Sequence, residues 1–304
     1  MSGSHRSHMA TRLLLAVTAS SVLIAGALFA QGPPPGQRGG GPPRQQKPTR
    51  KQVLVWCDTT GGGAYHDSVS HAMAVIEKMG RDTGLFDAYL RTDSQLITKQ
   101  KISVRANGRD WANNKNLDYF DAIFFYGLRE IPLTPQQKAD LIAFVKEDGK
   151  GLVAAHTAIN AFQEYPPFAE MMGAGFDNHP WNMAEAQVVV EDPSFPGMEG
   201  FAPVATLREE WYQVKDFSRE NVRVLMSLDA SKVDLKNPNV HRTDNDFPQA
   251  WVKMAGKGRI YFSAIGHAPE TWDRPEVQKM WLEAIKWALG MTNPDISPRP
   301  MPKK

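Results

Sequence analysis

The chain has 304 residues, of which 42% are hydrophobic and 22% are charged, and its formal net charge is +2. A chain this close to neutral is not expected to bind nucleic acid or another polyanion. Cys57 is the only cysteine, which excludes an intrachain disulfide, so a hydrophobic core has to stabilise the fold.

The first fifty residues are predicted to lie outside the folded domain. Residues 1–30 hold Arg12 followed by the apolar run LLLAVTASSVLIAGALFA, the pattern of a signal peptide, which predicts a secreted or periplasmic protein. The run is long enough for an uncleaved membrane anchor, which is the alternative. Residues 31–50 contain six prolines and five glycines and are predicted to form a disordered linker.

The rest of the chain is predicted to be one domain with a short tail. Residues 51–292 are enough for a single domain. No apolar run within them is long enough to span a membrane once the leader is removed. Residues 293–304 are rich in proline and are predicted to be a disordered tail.

Strands and helices alternate in the first half of the domain. Short runs rich in β-branched and aromatic residues predict four strands: QVLVWCD (52–58), FDAYLRT (86–92), YFDAIFFYG (119–127) and KGLVAAH (150–156). Asp67 or Ser68 can cap the first helix, and the second begins at Thr134 with Pro135 in its first turn. The polar segment around NGRDWANNKN has no clear periodicity. This order of elements predicts a doubly wound parallel sheet.

The second half of the domain contains more strands than helices. Its predicted strands are EAQVVVED (185–192), NVRVLMSLD (221–229), QAWVKMAG (249–256) and GRIYFSAIG (258–266). The GKG sequence between the last two predicts a hairpin turn. A final helix from about Pro275 to Leu289 carries an apolar stripe that includes Trp281. Antiparallel strands are therefore predicted either to extend the sheet or to form a small layer beside it.

Two common kinds of site are excluded by their missing motifs. The loop GGGAYHDS has three glycines but neither the lysine of a P-loop nor the G-x-G-x-x-G spacing, so no nucleotide is predicted. GLVAAHTA has the strand-to-turn context of a nucleophile elbow, with His156 where a serine or cysteine would stand. No G-x-S-x-G occurs, and Cys57 lacks an elbow context. Covalent acyl transfer is therefore not expected.

Four histidines stand where a predicted element ends or a loop turns tightly. They are His66, His156, His179 and His267. Open α/β sheets bind ligands at the carboxyl ends of their strands, so we expect these imidazoles to converge there as metal ligands or acid–base groups. A single loop histidine is more often a cap or a surface residue, and the prediction depends on all four having similar contexts.

The segment REEWYQ adds carboxylates and aromatic rings. Strand alternation predicts that Glu210 and Tyr212 share one face, and that Glu209 and Trp211 share the other. A carboxylate beside histidines suits a general base or a metal ligand, and an exposed acid is the alternative. Trp272, in IGHAPETW, can either stack on a sugar ring or close the core.

Five of these motifs together resemble the ThuA-like (trehalose utilisation) domain family over residues 51–292. They are AYHDS, GLVAAHTA, GAGFDNHPW, EEWY and GKGRIYFSAIGHAPETW. The resemblance implies a flavodoxin-like three-layer α/β/α sandwich, similar to class I glutamine amidotransferases but without their cysteine, so glutaminase activity is not expected. It also implies a small sugar substrate, and a functional link to a sugar dehydrogenase that makes 3-keto sugars.

The residues and the resemblance predict a metal-assisted enzyme that acts on keto-glycosides or trehalose-type disaccharides. Proton abstraction next to a carbonyl would lead to hydrolysis, elimination or isomerisation. The predicted catalytic residues are His156 and Glu210. The predicted ligands of a divalent metal, zinc or another first-row ion, are His66, His179 and His267. The predicted substrate-binding residues are Tyr65, Trp181, Trp211, Tyr212 and Trp272. The alternative is a non-catalytic carbohydrate-binding protein with the same fold.

Overall fold

A nine-stranded sheet with helices on both faces forms the domain, in a computed structural model that describes residues 48–60, 66–113 and 115–301. The strands are β1 (Lys51–Trp56), β2 (Phe86–Arg91), β3 (Ile102–Ala106), β4 (Arg109–Asn113), β5 (Ala122–Phe125), β6 (Gly151–Ala155), β7 (Gly175–Asn178), β8 (Met183–Val190), β9 (Val204–Glu210), β10 (Gln213–Lys215), β11 (Arg223–Leu228), β12 (Pro248–Ala255) and β13 (Gly258–Ser263). The helices are α1 (Ser68–Thr83), α2 (Pro135–Lys146), α3 (Pro166–Met172) and α4 (Pro275–Ala288).

The sheet continues from a parallel half into an antiparallel half. Its strands lie in the order β2-β1-β5-β6-β13-β12-β11-β8-β9. The first five are mutually parallel, and every later neighbouring pair is antiparallel. The predicted α/β fold is therefore confirmed. Of the two alternatives for the second half, the antiparallel strands β12, β11, β8 and β9 extend the same sheet.

Buried strands separate two hydrophobic cores. Val53 and Val55 of β1 face the core under α1 and α4. Leu54 and Trp56 of the same strand face the core under α2 and α3. Because both faces of the parallel strands are covered, these strands need apolar side chains at every position, which explains their unbroken hydrophobic runs. The result is a three-layer α/β/α sandwich.

Local sequence sets the start of α2 but does not set that of α1. The Thr134 hydroxyl accepts a hydrogen bond from the Gln137 amide, and the Gln137 side chain accepts one from the Thr134 amide, which forms a capping box at the predicted start of α2. Asp67 occupies the N-cap of α1 without a side-chain cap bond. The Ser68 hydroxyl is hydrogen-bonded to Tyr126 instead, so neither predicted side chain caps the helix.

The polar segment without periodicity contains a hairpin that the sequence did not predict. β3 and β4 pair with each other in a sheet of their own, apart from the nine-stranded one. Trp111 in β4 is 59% exposed. Residues 109–112 of β4 are all exposed, so this strand lacks the alternation of buried and exposed residues that would give a strand signal.

The C-terminal segment of the chain contacts the domain, whereas most of the N-terminal segment is outside the described residues. The predicted leader and most of the predicted linker lie outside the described residues. The segment predicted as a disordered tail follows the domain to Met301: Arg223 donates a hydrogen bond of 2.8 Å to the Ser297 carbonyl, and Ile296 packs against the core. None of the helices in the described part of the chain has the length and apolar character that a membrane crossing needs.

Gly256, in the predicted hairpin turn between β12 and β13, lies close to the end of α2, and its substitution tests the packing between them. Its φ is +57°, and a Cβ there would lie 2.3 Å from the Lys146 carbonyl oxygen. Gly290 also has a positive φ, +72°, but open space around its Cβ position. Gly290→Ala is therefore expected to cost about 1 kcal/mol for the backbone alone.

Gly256→Ala adds the steric overlap and is expected to cost about 2 kcal/mol more than Gly290→Ala. Urea unfolding of the two variants measures both values. Equal losses would show that the close approach of the hairpin to α2 is not a constraint on the fold.

Candidate metal centre

Three histidines and one glutamate meet at the carboxyl edge of the parallel strands. His156 directly follows β6, and His267 lies four residues beyond the end of β13. β6 and β13 are paired in parallel, with Ala155 opposite Ser263, so the two chains leave the sheet at the same place. His66 precedes α1 in the connection from β1. Glu210 ends β9.

The possible ligand atoms of these four residues all lie within 4.8 Å of one another. Glu210 Oε2 is 3.4 Å from His156 Nε2, 3.4 Å from His267 Nδ1 and 3.9 Å from His66 Nε2. His156 Nε2 and His267 Nδ1 are 3.2 Å apart. One carboxylate oxygen is thus surrounded by three imidazole nitrogens, and we refer to these four residues as the His–Glu cluster.

His156 is held in one orientation by its backbone contacts. Its Nδ1 lies 2.6 Å from the Ala264 carbonyl oxygen, which can only accept, so Nδ1 carries the hydrogen and Nε2 presents a lone pair to the cluster. The Tyr212 hydroxyl oxygen lies 2.9 Å from that Nε2, and the Tyr212 ring stacks on the imidazole with 4.7 Å between the ring centroids. His156 has φ +47°, a strained conformation for a residue with a side chain.

His66 supplies the clearest sign that the cluster takes a ligand. Its Nε2 is buried and has no hydrogen-bond partner among the described residues, because the 3.9 Å to Glu210 is too long. A buried polar atom without a partner is costly, and a bound cation would satisfy it. Three imidazoles and one carboxylate suit zinc or another first-row divalent metal. The residues present therefore fit a metal ion.

A second layer of contacts holds the His267 loop. Glu209 is fully buried behind the cluster, and its Oε2 accepts a hydrogen bond of 2.8 Å from the His267 amide. The Tyr126 hydroxyl accepts from Ser68 and donates to the Gly266 carbonyl at 3.0 Å. Groups that position ligands in this way commonly set metal affinity.

Burial and mutual contacts set the protonation states of the cluster. Burial lowers the pKa of His156 to about 4, although Glu210 opposes the shift. Burial by itself would raise the pKa of Glu210, but the imidazoles of His156, His267 and His66 around the carboxylate outweigh it and hold that pKa far below its usual value. At neutral pH, His156 is therefore neutral and Glu210 is ionised, which are the states that bind metals.

The cluster contains some of the predicted site residues in new roles. His66 and His267, predicted as ligands, belong to it, and so do His156 and Glu210, which were predicted as catalytic groups. His179 lies at the rim, where its Nδ1 is 3.8 Å from Glu210 Oε1 and 3.1 Å from Asn182 Oδ1. The structure therefore brings all four predicted histidines near Glu210, but His179 is outside the set of four close ligand atoms.

The predicted substrate-binding aromatics have different environments. Tyr212 contacts His156 in the site. Trp211 and Trp272 are fully buried, and their indole N–H groups donate to the carbonyls of Ala184 and Gly266, so both rings have packing roles in this conformation. Trp181 is half-buried and packs edge-on against Phe247. Tyr65 lies outside the described residues.

The sequence reasoning missed some supporting residues. Tyr126 and Ser68 come from different elements, and no local pattern indicated that their hydroxyls would meet behind the His267 loop. Glu209 could have been found, because strand alternation already placed it opposite Glu210. Asn182, which accepts from His179, has φ +48° and lies in a loop that gave no signal beyond its turn residues.

The fold agrees with the results of comparison with known proteins. The nine-stranded sheet with helices on both faces defines an α/β protein. The family model for ThuA, described as trehalose utilisation, matches residues 52–288, and the chain belongs to this family. No curated protein matches the chain in sequence.

Solved structures support the same fold. A ThuA-like protein from Bacteroides uniformis is similar with 20% identity and a TM-score of 0.61, over 82% of this chain and 95% of that chain. A ThuA-like protein from Parabacteroides merdae has 15% identity and a TM-score of 0.57, over 79% and 90% of the two chains. Identities this low establish the fold and nothing further.

Metal binding can be tested by removing ligands one at a time. His66→Ala is expected to lower metal affinity by at least about 100-fold, because even the loss of a residue that supports a ligand costs 10–100-fold. His179→Ala and His241→Ala are expected to retain the metal, since neither belongs to the cluster. Elemental analysis after dialysis measures the content. A metal-free wild-type protein, or equal loss in His241→Ala, would contradict the assignment.

The low pKa of His156 predicts how stability depends on pH. The unfolded chain takes up a proton at His156 near pH 6.5, whereas the folded metal-free protein resists it until about pH 4, so acidification favours unfolding between these values. The expected loss from this residue is about 2 kcal/mol between pH 7 and pH 5. Below pH 4 both states are protonated and the loss stops growing.

His156→Asn isolates this contribution, because asparagine tolerates a positive φ and does not titrate. Urea unfolding at both pH values should show a smaller pH dependence in this variant than in the wild-type protein. His241→Asn serves as the control, since His241 is exposed. An unchanged pH dependence in His156→Asn would disprove the burial effect.

Proposed function

We propose that this protein is an exported, metal-assisted enzyme that acts on keto-glycosides or trehalose-type disaccharides. The observation that carries the proposal is the His–Glu cluster, with the unpartnered Nε2 of His66 at the edge where α/β sheets bind ligands. The family description, trehalose utilisation, supports a sugar substrate. The apolar leader sequence supports export to the periplasm or the medium.

His66, His156, His267 and Glu210 would hold the metal. When bound there, a divalent cation supplies a Lewis acid for a sugar carbonyl. The protonation states of His156 and Glu210 at neutral pH prepare the site for a cation. In this arrangement His156 and Glu210 are both metal ligands, so another group has to transfer the proton.

In this proposal His179 moves the proton. Its Nδ1 donates to Asn182 Oδ1, which leaves Nε2 as an acceptor. Its side chain is 39% exposed and so can meet a substrate, while its position beside Glu210 keeps it next to the cluster. His179 Nε2 would take the proton from the carbon next to the carbonyl. Returning that proton elsewhere on the sugar gives isomerisation, and loss of a neighbouring oxygen gives elimination.

A protein nucleophile has no place in this chemistry. Cys57, the only cysteine, is fully buried, and burial raises the pKa of its thiol far above the usual value. His156 occupies the strained strand-to-turn position and faces the cluster. A sugar dehydrogenase is the class of enzyme that would supply a keto-glycoside, since oxidation of a ring hydroxyl produces the carbonyl.

Replacement of His179 tests the assigned chemistry. His179→Gln is expected to lower turnover of a 3-keto-glycoside by 10²- to 10⁴-fold, because the proton acceptor is lost, while the metal content stays unchanged. Deuterium exchange at the carbon next to the carbonyl, followed by NMR in D₂O, reports the proton step directly. His241→Gln is the matched control, another partly exposed histidine whose Nδ1 is hydrogen-bonded, in its case to Asp177.

Wild-type turnover with full activity in His179→Gln would remove His179 from the mechanism. Sugar binding without any turnover in the metal-loaded protein would favour a non-catalytic carbohydrate-binding role for the same site.

A further inference from the structure

A large cavity lies beside the His–Glu cluster and contains none of its ligands. Its volume is about 590 Å³, within the range of sites that hold small organic molecules. It lies among α3, β7 and β10, on the side of the sheet covered by α2 and α3. Nothing in the assigned chemistry uses it.

Two structural links connect this cavity to the cluster. The 3₁₀ turn His156–Asn160 begins at a cluster residue, and its Ile159 lines the cavity. Three residues of 3₁₀ helix advance roughly 6 Å, so Ile159 brings one end of the cavity close to the backbone of His156. Phe176 also lines the cavity, and its ring centroid is 5.1 Å from that of Tyr212 and 6.0 Å from that of His179. Phe176 therefore contacts both the cavity and two residues next to Glu210, and Tyr212 lies between it and His156.

The charges around the cavity favour a neutral ligand. Within the part of the chain that the structure describes, six polar side chains line it: Gln163, Glu170, Lys215, Asp216, Asn221 and Lys253. Two lysines and two carboxylates leave no formal net charge. An anion such as a sugar phosphate would gain little from such a lining, whereas hydroxyl groups find both donors and acceptors in it.

Lys253 gives the lining a well-placed donor. Its side chain lies partly buried on β12, and its Nζ donates to the Glu170 backbone carbonyl at 3.0 Å, which uses one of three N–H donors. Desolvation lowers its pKa, so this amine is more poorly hydrated than a surface lysine. The Lys253 side chain packs closely against Gly173: this glycine has φ +89°, and a Cβ added to it would lie 3.0 Å from Lys253 Cδ.

The apolar part of the lining suits one face of a sugar ring. Phe162 and Phe168 are almost wholly buried and line the cavity from the core, and the half-buried Phe176 offers the accessible ring. A pyranose carries C–H groups on its faces and hydroxyls around its edge. An aromatic wall combined with amide, amine and carboxylate groups of zero net charge matches that distribution.

We propose that this cavity binds a neutral sugar ring, the second ring of a glycoside whose reacting ring lies at the His–Glu cluster. The assignment of the reacting ring rests on the proposed function. The binding of a sugar in the cavity does not, because it needs neither the metal nor turnover. The substrate would then be a disaccharide or longer glycoside, which reaches past Phe176.

Calorimetric titration of the metal-stripped protein with unmodified trehalose tests the cavity separately from the chemistry. Saturable binding is expected in the wild-type protein. Lys253→Met should weaken it at least tenfold, and Gln163→Ala, an exposed change that leaves the core intact, should weaken it severalfold. Lys236→Met is the matched control, an exposed lysine outside the cavity, and should bind like the wild type. Glucose 6-phosphate should bind no more tightly than glucose.

Three results would overturn the proposal: no saturable trehalose binding, equal binding in all variants, or tighter binding of glucose 6-phosphate that Lys253→Met abolishes. The last would identify an anion site. Trehalose binding that depends on Lys253 and Gln163, together with no turnover of any keto-glycoside, would retain the cavity and reject the proposed enzyme. If the protein turned over a keto-glycoside equally well in all cavity variants and did not bind trehalose, the proposed enzyme would be retained and the sugar site in the cavity would be rejected.

Discussion

The parallel pairing of β6 with β13 is the constraint on which the candidate site depends. The register that sets Ala155 opposite Ser263 makes both strands end together, and the chains that leave them carry His156 and His267. These two residues are 111 positions apart in sequence. A shift in this register would separate the two imidazoles by about 3.3 Å per residue and remove the close contact between them.

Two consecutive glutamates at the end of β9 face opposite sides of the strand and have different contacts. Glu210 faces three imidazoles, which hold its pKa far below the usual value. Glu209 points to the other side of the strand, where burial raises its pKa and its carboxylate accepts from the His267 amide. Because successive side chains alternate, one dipeptide supplies a ligand-like carboxylate and a support for a neighbouring ligand.

His156 occupies a strained backbone position directly after a strand of the sheet. In the related arrangement of a nucleophile elbow, a strained residue at a strand end presents a nucleophile above the sheet. Here the same position has φ +47° and presents an imidazole nitrogen to a carboxylate and two further imidazoles. The strained position after β6 therefore carries one imidazole of the His–Glu cluster.

Local sequence was sufficient for much of this protein. The buried strands, the start of α2 at Thr134 and the opposite faces of Glu209 and Glu210 all follow from patterns that extend over a few residues. The motifs that identify the family could also be recognised in the sequence alone. Periodicity and capping act between near neighbours in the chain. A tertiary contact overrode the local signal at the start of α1, where the Ser68 hydroxyl is hydrogen-bonded to Tyr126 and does not cap the helix.

Only the tertiary structure decided which residues meet. It placed His156 rather than His179 in the set of close ligand atoms, buried Trp211 and Trp272 in the core, and opened a cavity next to Phe176. Such outcomes depend on the paths of loops and on how far each side chain can reach from a given strand end. These are distances between segments remote in sequence, and no short pattern of residues encodes them.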